Sequence, residues 1–250
     1  MSQLFFEAFE GLNRMAPGSR DTTRRALALL ESGFSPDHIL DIGCGTGTVT
    51  LHLAEAFPRA HITAVDNHRP FLDRLGQRAR EAGLDGRIRP LCRDMLDMGL
   101  PEGSVDLIWS EGAIYLAGFD RGLRAWTPLL RPGGVMAVSD ACWTTAQPDP
   151  VIRAWWTAEY PDITTVEDRL SQIEQAGCTV LDHFIQPVTD WSEEYYRPLQ
   201  ANLDKLALKY PEHPEAASVL AALQEEIDLH RAYGHQYSYG FFLIKPGQAR

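Results

Sequence analysis

Short apolar runs alternate with longer amphipathic stretches through the first two thirds of the chain. The apolar runs lie at 38–42, 61–65, 88–92, 105–109 and 135–139. Between the second and third runs, apolar side chains recur at helical spacing from Phe71 to Ala79, and Gly83 ends the pattern. Strands that alternate with helices in this way predict a parallel sheet covered by helices on both faces, and therefore an α/β fold.

The N-terminal segment has a different pattern, in which aromatic residues are prominent. Phe5, Phe9 and Leu12 share one face of a helix. Two interpretations remain open from the sequence: a helix that packs on the core, or a lid over a functional site. Pro17 breaks this helix, and either Ser19 or Asp21 can cap the next one.

The last third of the chain contains a long helical interruption. Two further strands are predicted at 178–185 and 236–244, separated by about fifty residues, which is too long for a plain hairpin connection. This connection holds two helical runs, at 193–210 and 215–232, divided by prolines. We interpret it as an inserted helical cap.

A glycine-rich loop follows the first strand and precedes a helical run. Gly43, Gly45 and Gly47 allow a ligand to approach the backbone closely, and the helix that opens there presents free N–H groups to it. The dinucleotide fingerprint would require a glycine at position 48, which is Thr48. The spacing therefore disfavours an NAD-linked oxidoreductase and favours another nucleotide-like ligand.

Two carboxylates refine the chemistry of that ligand. Asp41 lies two residues before the first glycine, which suits a ligand with positive charge better than a pyrophosphate. Asp66 ends the second strand, where its carboxylate can accept two hydrogen bonds from a ribose diol. The carboxyl ends of the strands are also where open α/β sheets place their binding crevice.

Five motifs in order resemble those of the class I, Rossmann-like S-adenosylmethionine-dependent methyltransferases of the small-molecule type. They are LDIGCGTG at 40–47, AVD at 64–66, CRDM at 92–95, VDLIWSEGAIY at 105–115 and LLRPGG at 129–134. The resemblance covers about residues 36 to 140. It implies a doubly wound, mainly parallel seven-stranded sheet whose last strand is antiparallel, with helices on both faces.

The resemblance also implies how the chain is organised. The expected arrangement is a single methyltransferase domain over 1–250, with N-terminal helices or a lid at 1–34. The Rossmann-like core would consist of 35–187 and 236–246, and the cap insertion of 188–235.

S-adenosylmethionine is the implied methyl donor, S-adenosylhomocysteine is the implied product, and no metal is expected. Asp66 would take both ribose hydroxyls, Asp94 would accept from the adenine amine beside the Met95 N–H, and Asp41 would help to place the ammonium. The implied cofactor-binding residues are Asp41, Gly43, Cys44, Gly45, Gly47, Asp66, Asn67, Asp94, Met95 and Glu111.

The acceptor side is less defined by the motifs. Methyl transfer is an in-line displacement that mainly requires alignment and exclusion of water, and a base is needed only for a protonated acceptor. Glu111 and Tyr115 are the candidate catalytic residues; for Glu111 the competing interpretation is an acid that orders its loop. The candidate substrate pocket comprises Tyr115, Trp143, Trp155, Trp191 and Tyr195. Aromatics outside the common core could also simply fill the core, but their position in the cap slightly favours a pocket.

The composition limits which binding partners and which cellular compartment we expect for this chain. The net charge is −11 and no basic run occurs, which argues against a nucleic-acid substrate. The four cysteines are scattered singly, and neither a signal-peptide pattern nor an apolar run of membrane-spanning length is visible. We expect a cytoplasmic monomer or homodimer that acts on a small-molecule acceptor, away from membranes.

Two functions of different classes remain. The first is a small-molecule methyltransferase, and the second is a catalytically silent sensor or scaffold that kept the donor site. The intact loop motif, the polar segment after the fourth strand and the predicted cap favour the enzyme. The identity of the acceptor, and whether O, N, S or C is methylated, does not follow from the sequence.

Overall fold

The computed structural model describes residues 3–247. The predicted lid begins at residue 1 and the predicted domain ends at residue 250, so their outermost residues, 1–2 and 248–250, lie outside the described part.

A single twisted sheet organises the described residues. Its strands are β1 (His38–Ile42), β2 (His61–Asp66), β3 (Ile88–Cys92), β4 (Val105–Ser110), β5 (Leu130–Trp143), β6 (Thr164–Thr165), β7 (Cys178–Ile185) and β8 (Tyr237–Pro246). Seven of them lie in the order β3-β2-β1-β4-β5-β8-β7, and the two-residue β6 pairs with the end of β5. Only β8 runs antiparallel to its neighbours. The predicted fold class is therefore confirmed.

Helices connect the strands and cover both faces of the sheet. They are α1 (Gln3–Ala8), α2 (Arg20–Ala28), α3 (Thr48–Ala56), α4 (Arg69–Glu81), α5 (Phe119–Trp126), α6 (Pro150–Glu159), α7 (Val166–Gln175), α8 (Thr189–Trp191), α9 (Arg197–Lys209) and α10 (Pro214–Tyr233). A π-helical turn, Ser192–Tyr196, joins α8 to α9.

The core has two layers because side chains of a strand alternate between its faces. Leu40 and Ile42 of β1 pack with Trp126 of α5 on one face. Ile39 points to the opposite layer, which also contains Leu53 of α3. Strands buried on both faces explain why the apolar runs of this chain are nearly continuous rather than alternating.

The N-terminal segment and β5 differ from the sequence prediction. The first helix ends at Ala8, and turns then lead to Ser19, whose hydroxyl oxygen accepts a hydrogen bond from Thr22 N (3.0 Å) and caps α2. The predicted fifth strand, 135–139, extends in the structure to Trp143 because β8 pairs with it along this length.

The helical segment at 188–235, called the cap below, lies against the N-terminal helix. The side-chain amide nitrogen of Asn202 in α9 donates hydrogen bonds to the carbonyl oxygens of Ala8 (3.0 Å) and Glu10 (2.9 Å). Lys209 at the end of α9 forms an ion pair with Glu7 (2.5 Å). Among residues 3–247, no helix combines the length and the apolar character that crossing a membrane requires.

Candidate active site

The loop after β1 takes a backbone path that requires glycine. Gly43, Gly45 and Gly47 all have positive φ, at 73°, 52° and 84°, a region that costs other residues conformational energy. A Cβ added at Gly43 would lie 2.3 Å from the Ala113 Cβ, and one at Gly47 would lie 2.1 Å from the Leu75 Cδ1. Two of the three glycines therefore allow close packing within the protein as well.

Asp66 is held at the end of β2 by backbone donors. Its Oδ2 accepts a hydrogen bond from Gly45 N (3.0 Å), and its Oδ1 accepts one from His68 N (2.8 Å). An ionised carboxylate has about four acceptor positions, so each oxygen keeps capacity for a further donor. The half-buried Asp66 lines the large cavity described below, as its predicted role requires.

Asp41 is buried beneath the glycine loop and does not reach the cavity. It is 2% exposed, and Thr50 Oγ1 donates a hydrogen bond to its Oδ2 (2.6 Å). Burial raises the pKa of Asp41 to about 7; the Thr50 hydrogen bond opposes this, and the negative charges of Glu111 and Asp66 add to it. Any effect of Asp41 on a ligand must therefore be transmitted through the loop or by its charge.

The predicted adenine-side residues lie together at the end of β3. Asp94 is exposed, and its Oδ1 accepts a hydrogen bond from Leu96 N (2.7 Å), which forms a tight turn. The carbonyl oxygen of Met95 accepts a hydrogen bond from the Trp126 indole N–H (2.8 Å), which ties this turn to α5. Asp94, Met95 and Asn67 all line the cavity.

One large cavity, of about 1320 Å³, opens at the carboxyl ends of β1, β2 and β4. Its outer part is lined by the glycine loop, Asp66 and the turn at Asp94. Its inner part is lined by aromatic residues from the N-terminal helix, the segment after β4, α6 and the cap. The same space thus contacts the predicted donor site and most of the predicted acceptor pocket.

Glu111 is engaged by three donors from different parts of the chain. Arg14 Nη1 donates to its Oε2 (2.6 Å), while Thr23 Oγ1 (2.8 Å) and the Trp109 indole N–H (2.9 Å) donate to its Oε1. The side chains of Glu111 and Arg14 are only 3% and 9% exposed. This arrangement favours the loop-ordering interpretation of Glu111, since an ion-paired carboxylate with three donors is a poor base.

Tyr115 lies in the cavity wall next to a buried polar network. Its ring packs edge-on against Tyr160, with centroids 5.7 Å apart. The Tyr160 hydroxyl lies 3.2 Å from both carboxylate oxygens of Asp140 and accepts a hydrogen bond from Arg169 Nη2 (2.7 Å). Burial raises the pKa of Tyr115 to about 12, so this phenol keeps its proton at neutral pH and can donate a hydrogen bond.

The predicted substrate pocket is only partly assembled as expected. Trp155, Trp191 and Tyr195 line the cavity together with Tyr115. Trp143 does not; it lies in the extended end of β5, directly opposite Tyr237 of β8, and packs edge-on against that ring. Gly47 does not line the cavity either. It packs against the Leu75 side chain instead.

The N-terminal helix and the residue that follows it contribute three aromatic side chains to the cavity. Phe5, Phe6 and Phe9 all line it. Phe6 stacks on the His68 imidazole, with ring centroids 4.0 Å apart, and Phe9 faces Tyr195 of the cap at 6.3 Å. The helix therefore contacts the donor side and the cap at once, an arrangement suited to the lid interpretation.

Sequence reasoning missed several residues of the cavity wall, among them Arg14, Tyr160 and Glu226. Arg14 lies 97 residues from its partner Glu111, and Glu226 lies in the middle of an ordinary amphipathic helix. No local pattern marks such residues. The aromatic residues in the segments outside the common core were the one sequence feature that indicated a contribution of the cap to the site.

A family profile described as "Methyltransferase domain" matches residues 39–134, which include the glycine loop, Asp66 and the turn at Asp94. A malonyl-[acyl-carrier protein] O-methyltransferase of Dechloromonas aromatica is 33% identical over 139 residues, 52% of this chain and 48% of the relative. A trans-aconitate 2-methyltransferase of Rhodococcus jostii is 32% identical over 58% of this chain and 59% of the relative. The chain thus spans about half the length of these curated relatives.

The whole fold also has a counterpart among solved structures. A S-adenosylmethionine-dependent methyltransferase from Geobacter sulfurreducens, solved with S-adenosyl-L-homocysteine, superposes with a TM-score of 0.86. It is 18% identical, and 98% of each chain is covered, so the cap and the N-terminal helix belong to a shared fold. Residues 39–134 are therefore similar to a methyltransferase domain, and the fold of the chain is similar to that of this S-adenosylmethionine-dependent methyltransferase.

Proposed function

We propose that this protein binds S-adenosylmethionine at the glycine loop and transfers its methyl group to a small-molecule acceptor, releasing S-adenosylhomocysteine. One observation carries the proposal: the glycine loop, Asp66 and an aromatic inner wall line one cavity of about 1320 Å³. Ligand pockets usually measure roughly 300–1,000 Å³, so this cavity has room for a donor and an acceptor side by side.

The donor half of the cavity fits the donor's parts. The free acceptor capacity of Asp66 suits two ribose hydroxyls, and Asp94 with the backbone of Met95 suits an adenine edge. Gly45 lacks a side chain where the loop meets the cavity, which permits close approach to the backbone. S-adenosylmethionine supplies an electrophilic methyl group when it is bound there.

The chain's own contribution to the reaction is alignment and exclusion of water. The aromatic wall and the contacts between the N-terminal helix and the cap enclose the inner end of the cavity. Tyr115 remains protonated and can orient an acceptor by donating a hydrogen bond. Glu111 fixes the segment after β4 through Arg14, and we assign it a positioning role rather than that of a base.

The acceptor class and the compartment are further parts of this proposal. The curated relatives carry names with different acceptors, so their names do not define the acceptor of this chain. A small molecule suits an enclosed cavity better than a macromolecule does. The cytoplasm, which keeps thiols reduced, suits a chain whose four cysteines are all free.

Isothermal titration with S-adenosylmethionine, S-adenosylhomocysteine and NAD tests the donor assignment, and turnover on a panel of small acceptors tests the reaction. We expect both adenosyl ligands to bind and NAD not to bind. Binding of NAD in their place would overturn the proposal. Tight donor binding with no turnover on any acceptor would instead favour a silent sensor or scaffold.

A further inference from the structure

A carboxylate from the cap projects into the aromatic inner end of the cavity. Glu226 lies in α10 and lines the cavity. Its Oε1 accepts a hydrogen bond from the Tyr196 hydroxyl (2.9 Å). Within residues 3–247, this is the one hydrogen bond that the Glu226 side chain makes, and no Lys, Arg or His there forms an ion pair with it.

Aromatic residues share the cavity wall with this carboxylate. Tyr195 and Tyr239 are buried there and Tyr115 is partly buried, and the negative charge of Glu226 adds to the effect of burial in raising the pKa of each phenol. Trp155 and Trp156 of α6 line the same cavity. The faces of such rings carry partial negative charge, which attracts organic cations.

The other charges of the cavity do not neutralise Glu226. Glu159, at the end of α6, also lines the cavity, and its charge helps burial to raise the pKa of Glu226. Arg14 is already paired with Glu111. Arg93 and Arg121 line the cavity but are exposed to solvent. The inner end is therefore acidic, and a carboxylate in an apolar enclosure is costly unless a cation accompanies it.

We propose that this inner end is a subsite for an organic ammonium ion, so that the methyl acceptor is a small amine-bearing molecule with an apolar body. The ammonium group pairs with the Glu226 carboxylate, and the aromatic rings contact the carbon atoms next to it. The inference rests on the proposed methyltransferase function, because it names the acceptor class of that same cavity.

Isothermal titration of the full chain tests this subsite with two probes of equal size. Phenethylammonium carries the charge, and 2-phenylethanol is its neutral counterpart; both are titrated into protein saturated with S-adenosylhomocysteine at neutral pH. Glu226→Gln removes the carboxylate. The matched control is Glu225→Gln, which removes the same charge from the exposed side of the same helix.

The wild-type protein and Glu225→Gln should bind phenethylammonium with the same affinity and prefer it to the alcohol. Glu226→Gln should lose at least tenfold in affinity for the ammonium and almost nothing for the alcohol. Should Glu226→Gln fail to fold, Tyr196→Phe removes the hydrogen bond that orients the carboxylate and should weaken ammonium binding severalfold.

This design distinguishes a failure of the methyltransferase proposal from a failure of the ammonium subsite. If S-adenosylhomocysteine does not bind the wild-type protein, the methyltransferase proposal itself is wrong. If it binds but the two probes bind equally well, or if Glu226→Gln and Glu225→Gln behave alike, the ammonium subsite is wrong while the donor site stands.

Discussion

At the residue scale, Asp66 shows how far a local motif can define a site. Its place at the end of β2 follows from the strand pattern, and the structure orients its carboxylate with two backbone N–H groups. The same reasoning did not reveal that Gly47 is required by Leu75, or that Asp41 lies beneath the loop. Those facts depend on residues that are distant in sequence and close only in the folded chain.

Asp66→Ala tests the donor site directly. Two charge-assisted hydrogen bonds to the ribose are worth roughly 1.5–3 kcal/mol each, so we expect affinity for S-adenosylmethionine to fall by at least about a hundredfold, at about 1.4 kcal/mol per tenfold. Asp85→Ala is the control, because Asp85 is exposed and lies away from the cavity. Titration calorimetry measures both, and unchanged affinity in Asp66→Ala would refute the assignment.

Glu111→Gln tests whether Glu111 positions the segment after β4 or acts as a catalytic base. The substitution leaves the buried Arg14 guanidinium without its counter-ion, and breaking a buried pair costs about 3 kcal/mol. Glu55→Gln is the matched control, since the Arg20–Glu55 pair is exposed and is expected to contribute less than about 1 kcal/mol. Urea unfolding measures both losses. A large loss of turnover in Glu111→Gln, with stability and donor affinity unchanged, would instead restore Glu111 as the base.

The raised pKa of Asp41 should make the stability of the folded protein depend on pH. Its pKa is about 7 in the folded protein and about 3.9 when unfolded, so between these values the folded state binds more protons. The free energy of unfolding should therefore fall as pH rises from about 4 to 7, by up to about 1.4 kcal/mol per pH unit.

Asp41→Asn removes this titration and keeps an oxygen that can accept from Thr50. Urea unfolding of both proteins at several pH values should show the variant gaining stability relative to the wild type across that window. A constant difference between the two proteins would contradict the burial effect. Donor affinity adds a second readout: if the charge is sensed, the variant should lose more affinity for the sulfonium than for the neutral product.

At the scale of elements, the spacing of apolar residues and the turn residues between them predict the sheet and its helices. Strands and helices differ in the period with which apolar side chains recur. The end of β5 was missed since pairing with β8, not local sequence, extends that strand to Trp143. The π-helical turn at Ser192–Tyr196 has no recognised signal either, although it places Tyr195 in the cavity wall. Features that depend on packing between elements therefore cannot be predicted from the sequence of one segment alone.

Asn202 of α9 tests the joint between the cap and the N-terminal helix. Asn202→Ala removes both hydrogen bonds to the carbonyl oxygens of Ala8 and Glu10, and a loss of about 1.4 kcal/mol would raise local opening by about tenfold. Hydrogen exchange should accelerate for amides of residues 3–12 and stay unchanged in β1. The control is Lys205→Ala, an exposed change on the same helix; equal protection in both variants would show that the joint depends on other contacts.

At the scale of the whole molecule, the sheet supplies an open crevice and the added segments enclose it. The family motifs cover only the sheet side of the cavity. Phe5 and Phe9 come from one end of the chain, and Tyr195 and Glu226 come from the cap near the other end. This enclosure explains why the sheet side of the cavity, where we propose the donor site, could be predicted from contiguous motifs, whereas the rest of its wall required the assembled chain.

Deleting residues 1–9 tests this enclosure. The deletion removes the three phenylalanines from the cavity wall but leaves Arg14 to pair with Glu111, so the sheet and its donor loop should stay folded. Transfer requires a dry, aligned pocket. We therefore expect donor affinity to fall by only about fivefold and turnover to fall by about a hundredfold or more.

The control is Lys209→Ala, which removes the ion pair to Glu7 and keeps every aromatic side chain. Wild-type turnover in the shortened protein would show that the N-terminal helix only packs on the core and that another segment closes the site.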